Sequence, residues 1–261
     1  MIQSRMTPDV IRNKKQRGEK IAMLTAYDYA SASVAEEAGA DIILVGDSLG
    51  ITILGYHSTR DVTLSDMIHH LRAVVRGVRS SFIVCDLPVN TYRNEREAIE
   101  NSNHLLENGC HAVKLEGCLP DIVAAVSERQ IPIMGHIGFT PQTIQDFQVQ
   151  GKGEKEAERL CQDADCLQQK GCFAVVLEGI PAVLGKTITE RLSIPTIGIG
   201  AGPYCNGQVL VFNDLLGIFD KFKPKFVRQY RHLRKEMVSG CRAFIEDVRS
   251  GSYPQENESY L

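Results

Sequence analysis

Short apolar, often β-branched runs recur along the chain. Each ends abruptly in polar residues or glycine and is followed by a stretch of helical or turn character. The runs are IAMLTAYD (21–28), DIILVGDS (41–48), FIVCDLP (82–88), AVKLEG (112–117), IPIMGHIG (131–138), FAVVLEG (173–179), IPTIGIGAG (194–202) and, more weakly, QVLVFND (208–214). Continuous rather than alternating hydrophobicity marks strands buried on both faces, as in a parallel sheet. Between them the spacing predicts helices over 29–38, 63–79, 95–108, 119–128, 154–170 and 182–191. Thr63 before Leu64, Asn94 with Glu97 three residues on, and Pro181 near a first turn supply start signals.

Six βα units and two further strands in about 200 residues fit an α/β fold, a closed (β/α)8 barrel. An open doubly wound sheet is the rival. Polar candidates end nearly every strand, as one shared mouth requires, which favours the barrel. The pattern predicts one domain over 1–261: a preliminary helix at 7–19, the barrel at 20–217, Lys- and Arg-rich amphipathic helices at 224–248 and a loose tail at 249–261.

Composition narrows the class. Lys and Arg total 29 against 32 Asp and Glu, so no basic surplus points to nucleic acid. The basic run RQYRHLRK (228–235) reads as a solvated or subunit-contacting face. No apolar run approaches the roughly 18–20 residues needed to cross a bilayer, and the N-terminus lacks a signal-like stretch. The cysteines at 85, 110, 118, 161, 166, 172, 205 and 241 form no C-x-x-C pair, which predicts reduced thiols and a cytoplasmic protein.

In a parallel barrel the C-terminal strand ends converge on one face. Here they carry Tyr27 and Asp28, Asp47 and Ser48, Asp86, Lys114 and Glu116, His136, Glu178, and the glycines 198, 200 and 202. Asp47, Asp86 and Glu116 follow three successive strands. Carboxylates around one point repel unless a cation sits among them, and hard oxygen ligands suit Mg2+. Singly, each acid has an ordinary alternative as a helix cap or an arginine partner. Lys114 and Glu116 share a strand face, where the lysine either attracts a substrate carboxylate or pairs with the glutamate. Glu178 is the candidate general acid/base, with a surface loop residue as its alternative. His136 is as well suited to a structural hydrogen bond as to a supporting catalytic role.

Two glycine motifs are decoys. In the G-x-G-x-G of Gly198, Gly200 and Gly202, Pro203 stands where the dinucleotide fingerprint needs its last glycine. Gly185-Lys186-Thr187 imitates a P-loop ending, but Ile180 precedes it where the motif requires glycine.

The segments MLTAYDYASA (23–32), ILVGDSLG (43–50), LGYHSTRDVTLSDMIHH (54–70), VCDLP (84–88), AVKLEG (112–117), MGHIGFTPQ (134–142), VQGK (149–152), VVLEGIP (175–181), TIGIGAGPYCNGQVLV (196–211) and KFKPKFVRQY (221–230) together closely resemble the ketopantoate hydroxymethyltransferase family. The resemblance runs from about residue 7 to 230 with its motifs in order. It implies a barrel of the phosphoenolpyruvate/pyruvate superfamily that joins the methylene group of 5,10-methylenetetrahydrofolate, with water, to 3-methyl-2-oxobutanoate. The products would be 2-dehydropantoate and tetrahydrofolate. It further implies Asp47, Asp86 and Glu116 as Mg2+ ligands, Asp47, Ser48, Asp86 and Lys114 as keto-acid contacts, Glu178 as proton acceptor, and a cytoplasmic homodecamer. The chemistry agrees with the residues: a keto acid can chelate Mg2+, which stabilises the enolate formed when Glu178 takes the C3 proton.

Two departures bear on the folate side of the mouth. The stretch after TPQ (143–148) is shorter than is usual in the family, and Asn206 stands where relatives commonly carry Asp. A Mg-dependent lyase or mutase of the same superfamily is the alternative, although the K-K-C-G-H motif of the isocitrate-lyase type is missing. A non-catalytic barrel scaffold is the other.

Overall fold

The alternation hidden inside the apolar runs builds the molecule. In the computed structural model, which describes residues 6–144 and 146–260, eight parallel strands close in sequence order. They are β1 (Ile21–Thr25), β2 (Ile42–Val45), β3 (Phe82–Asp86), β4 (Ala112–Glu116), β5 (Ile133–Gly138), β6 (Ala174–Glu178), β7 (Thr196–Ile199) and β8 (Gly207–Leu210). One residue parity of each strand points inward. Ile21 and Met23, Ile42 and Leu44, Phe82 and Val84, Met134, Val176, Ile197 and Val209 pack there as one cluster. The other parity, including Ile43, Ile83, Val113, Val175 and Leu177, packs in a second cluster with residues of the surrounding helices. Both faces are buried, which is why the runs are continuously apolar.

The helices are α1 (Pro8–Gln16), α2 (Tyr29–Glu37), α3 (Leu49–Thr52), α4 (Leu64–Gly77), α5 (Glu95–Glu107), α6 (Pro120–Glu128), α7 (Glu154–Gln169), α8 (Ala182–Arg191), α9 (Phe212–Leu215) and α10 (Leu233–Ser250). The expected caps form. Thr63 and Asp66 make a reciprocal capping box, Asn94 accepts from the Glu97 amide, and Pro181 precedes the first turn of α8. α1 places Ile11, fully buried, in the inner cluster. Its Lys15 Nζ donates to the carbonyls of Thr189, Leu192 and Ile194 at 2.9, 2.7 and 3.0 Å, satisfying the end of α8 and the connection to β7.

The chain divides into two compact units, one reaching to Phe212 and one over Asn213–Leu261. The first contains the whole barrel. In the second, the helix starts at Leu233 rather than at 224. Residues 221–232 are non-helical. Pro224 has no amide hydrogen to give, and its carbonyl accepts from Val227 in a tight turn. The basic run is therefore split, with only its end on the helix. α10 closes on Gly251 in the left-handed conformation (φ 75°). β8 also ends early: Phe212 opens a helical turn, and its amide donates to Thr25 Oγ1 at 3.0 Å. Among the described residues, no helix is long and apolar enough to cross a membrane, and all eight cysteines are free.

Candidate active site

The inward parity of β3 to β6 continues past the apolar layers into polar residues. Phe82, Val84 and then Asp86 share one side of β3. Ala112, Lys114 and Glu116 do so on β4, Met134 and His136 on β5, and Ala174, Val176 and Glu178 on β6. Cross-strand register makes Asp86 the direct neighbour of Lys114, and Glu116 the neighbour of His136. Asp47 and Ser48 enter from the turn after β2. Asp47, Ser48, Asp86, Lys114, Glu116, His136 and Glu178 line one cavity of about 110 Å³ at the C-terminal strand ends, whereas the strand-end candidates Tyr27 and Asp28 and the glycines 198, 200 and 202 are not in its lining. The same cavity is also lined by the apolar Leu44, Val176, Ile199, Val209 and Val211, together with Thr25, Thr59 and Pro141.

The polar side chains form a chain of charge contacts. Lys114 Nζ lies 2.9 Å from Asp86 Oδ1. His136 Nδ1 lies 3.3 Å from Glu116 Oε1 and 3.4 Å from Lys114 Nζ, and its Nε2 lies 3.2 Å from Glu178 Oε2. A protonated ring faces both glutamates as an ion-pair partner and leaves the ammonium to Asp86. Burial and Lys114 oppose that protonation, but Glu116 and Glu178 outweigh them and carry the imidazole up to about 9. Burial also works against the Lys114 ammonium, yet Asp86, Glu116 and Asp47 hold it above its ordinary range. Glu116 is pulled down by His136, Lys114 and a backbone amide despite its burial. Asp47 is pushed up by burial and then by Asp86 and Glu116; Asp86 is pushed up chiefly by burial.

Two anchors set the edges of this cluster. The Tyr27 hydroxyl meets Ser48 Oγ and Thr25 Oγ1, both at 2.8 Å. Asp28, by contrast, is the N-cap of α2, taking the Ser31 amide at 2.7 Å. Glu178 is held through its backbone. Its carbonyl accepts from Phe139 at 2.8 Å, and a Cβ at Gly138 (φ 98°) would stand 2.2 Å from that oxygen, so only glycine fits.

A cation test follows from these facts. Four carboxylates face one ammonium and one imidazole. Asp86 Oδ1 is buried without an aligned hydrogen-bond donor, and burial followed by repulsion from Asp86 and Glu116 raises Asp47. The donor set and its uncompensated charge fit a hard divalent ion. Among the described residues no three His, Cys, Asp or Glu side chains already converge at ligand spacing, so the acids must turn toward one another to bind it.

Gln142 and Tyr92 were not singled out in the sequence. The Gln142 side chain donates to Asp47 Oδ2 at 2.7 Å and to the Leu87 carbonyl at 3.0 Å, and its amide nitrogen donates to Glu116 Oε2 at 2.9 Å. The Tyr92 hydroxyl donates to Gln142 Oε1. Gln142 closes the MGHIGFTPQ run, so a polar residue just past β5 was the available signal; Tyr92 lies in a loop without one.

Other expectations change place. Asn206 does not lie at the mouth. No helix separates β7 from β8, and the connecting segment runs back to the strand starts, as any link between parallel strands must. There Asn206 Oδ1 accepts from the Thr196 amide at 3.1 Å, and its carbonyl accepts from Ile21 at 3.0 Å. The short stretch 143–148 includes residue 145, which lies outside the described residues; nearby, Phe147 meets Phe139 edge-on at 5.0 Å. The P-loop imitation sits inside α8, where Gly185 lets the helix approach the Ala201 carbonyl; a Cβ there would stand 2.4 Å away.

A family model described as ketopantoate hydroxymethyltransferase matches residues 5–256. A 3-methyl-2-oxobutanoate hydroxymethyltransferase of Syntrophus aciditrophicus is 48% identical over 264 aligned positions, covering 98% of this chain and 97% of the relative. One of Caldicellulosiruptor saccharolyticus is 46% identical, covering 98% and 100%. Among solved structures, a phosphonopyruvate hydrolase complexed with oxalate and Mg++ is similar with a TM-score of 0.65 at 13% identity, over 96% of this chain and 92% of that one. A 2,3-dimethylmalate lyase gives 0.62 at 15%, over 97% and 91%. At such identities the likeness is one of fold.

Proposed function

The chain belongs to the ketopantoate hydroxymethyltransferase family, and from that premise we propose that it transfers a hydroxymethyl group to 3-methyl-2-oxobutanoate. The donor is 5,10-methylenetetrahydrofolate with water, and the products are 2-dehydropantoate and tetrahydrofolate. The observation that carries this reading is that one cavity combines a cluster of charged side chains with several apolar ones. A small branched 2-oxo acid has that same combination, with two oxygen groups at one end and an isopropyl group at the other.

Asp47, Asp86 and Glu116 would hold Mg2+. Bound there, the ion supplies Lewis-acid stabilisation of the charge that gathers on the keto oxygen. Ser48, Asp86, Asp47 and Lys114 orient the 2-oxo acid, with the buried ammonium drawing its carboxylate into the mouth. Glu178, 16% exposed at its side chain, takes the proton from C3. Water replaces the folate nitrogens on the methylene carbon and frees tetrahydrofolate; C3 bonds to that carbon, whose oxygen becomes the hydroxyl and takes the proton that Glu178 had accepted. His136, placed between Glu116 and Glu178, holds the base in position and supports its charge.

Two further parts of the reading concern the setting. Exposed Met237, Val238, Phe244, Ile245 and Val248 on α10 have the chemistry of a subunit contact, which supports self-association; the homodecamer rests on the family resemblance alone. Free cysteines support a cytoplasmic location.

The deciding experiment follows dehydropantoate with both substrates, with and without Mg2+. Product is expected only when all three are present. No product under complete conditions would overturn the reading.

A further inference from the structure

The amide of Gln142 is used completely. Both Nε2 hydrogens are spent, on Asp47 Oδ2 and on the Leu87 carbonyl, while Oε1 receives the Tyr92 hydroxyl. Turning the amide over would put Oε1 against the Asp47 carboxylate and the Leu87 carbonyl, so only one orientation satisfies the site. The residue is 3% exposed, and its own backbone amide takes Glu116 Oε2. One residue on the loop after β5 therefore ties down an acid after β2 and an acid ending β4. It is itself braced by a tyrosine on the loop after β3.

We propose that Gln142, braced by Tyr92, is a positioning residue that sets the spacing and aim of the Asp47 and Glu116 carboxylates for a divalent cation. The proposal rests on the reading of those acids as a Mg2+ site. Each carboxylate gives one oxygen to a fixed neutral donor, and the second Glu116 oxygen faces His136 at 3.3 Å. The neutrality matters. A lysine or arginine in this place would hold the acids equally firmly but cancel the charge that attracts the cation. An amide restricts their rotation and leaves that charge in place. Such outer contacts commonly govern affinity by about 10–100-fold, because ligands that are already aimed lose less freedom on binding.

The test is calorimetric titration of the full chain with Mg2+ alone, in the parent, Gln142→Ala, Tyr92→Phe and the double variant. Gln142→Ala should weaken Mg2+ by roughly 10–100-fold, and Tyr92→Phe by roughly three- to tenfold. In the Gln142→Ala background, Tyr92→Phe should add nothing, because the hydroxyl then has no amide to brace. General loosening of the barrel would instead weaken binding in both backgrounds. In turnover assays, Gln142→Ala should raise the Mg2+ concentration needed for half-maximal rate while most of kcat returns at saturation. Parent-like affinity in folded Gln142→Ala, or an equal Tyr92→Phe effect in both backgrounds, overturns the proposal. If Gln142→Ala fails to fold, Tyr92→Phe decides, and unchanged affinity there overturns it. A parent chain that binds no Mg2+ overturns the cation reading and this proposal with it.

Discussion

His136 Nε2 lies 3.2 Å from Glu178 Oε2, while the Nδ1 atom of the same ring faces Glu116 at 3.3 Å. One imidazole thus joins the proposed base to the proposed cation site, and proton removal and charge stabilisation share a rigid part. The arrangement separates catalysis from mere binding of the keto acid. With Mg2+ present, C3 of 3-methyl-2-oxobutanoate should exchange hydrogen for deuterium in heavy water. Glu178→Gln keeps shape and hydrogen bonding but cannot accept the proton. Exchange should fall by about 10²–10⁴-fold while keto-acid binding survives. NMR of the C3 signal measures it. Exchange at the parent rate would remove Glu178 as the base.

Asp47 carries the charge strain of the site, pushed up by burial and by Asp86 and Glu116. Asp47→Asn removes the repulsion and retains an oxygen for Gln142. Without metal the variant should melt no lower than the parent, as is common where function holds like charges together. Adding Mg2+ should raise the parent's Tm by mass action but leave the variant's unmoved. Calorimetric scans with and without Mg2+ check both halves. An equal Mg2+-dependent rise in the two proteins would take Asp47 out of the cation site.

Much of this site was legible because it follows strand parity. Asp86, Lys114, Glu116, His136 and Glu178 each extend an inward apolar stripe, so a polar residue at the end of a run already names its own direction. Gln142 and Tyr92 are different. They sit in loops, where no period tells which way a side chain points, and they meet across 50 positions of sequence. Asn206 misled for a topological reason. A crossover between parallel strands must return to the strand starts, and Asn206 directly precedes β8, so it lies at the end opposite the mouth. The start of α10 was misplaced because charge and amphipathicity extend upstream of Leu233, whereas the Pro224 turn breaks the helical hydrogen bonds.

Lys15 predicts where the foot of the barrel is most easily loosened. Its ammonium serves the Thr189 and Leu192 carbonyls at the end of α8 and the Ile194 carbonyl in the connection to β7. Lys15→Met keeps the aliphatic stem, which lies half-buried, but leaves those oxygens without their donor. Hydrogen bonds to a charged group contribute more than neutral ones, so the loss should be about 1.5–3 kcal/mol. Activity per folded molecule should be unaffected, because the site lies at the other end of the strands. Urea denaturation alongside the turnover assay reads both quantities. Unchanged stability would show that the three bonds are replaced by water at no cost.

Glu36, in the last turn of α2, gives a pH dependence unconnected with catalysis. Its carboxylate accepts from the Ser80 amide at 2.8 Å, the Ser80 hydroxyl at 2.6 Å and the Ser81 amide at 3.1 Å, anchoring the entry to β3. Burial alone would raise this carboxyl, but the bonds from Ser80 and Ser81 outweigh it and bring it from 4.5 down to about 2. The sign follows from proton counting. Between those two values the unfolded chain binds a proton that the folded chain refuses, so acid favours unfolding. The contribution is therefore complete above about 4.5 and is lost as the pH falls through about 2. Glu36→Gln presents the same donors with a neutral amide and should be less stable than the parent at neutral pH. The gap between the two proteins should narrow steadily on acidification below about 4.5. Paired urea denaturation curves at neutral pH and at about pH 3 make the comparison, since other titrating groups act alike in both proteins. A gap that stayed constant with pH would mean that Glu36 is not held ionised by Ser80 and Ser81.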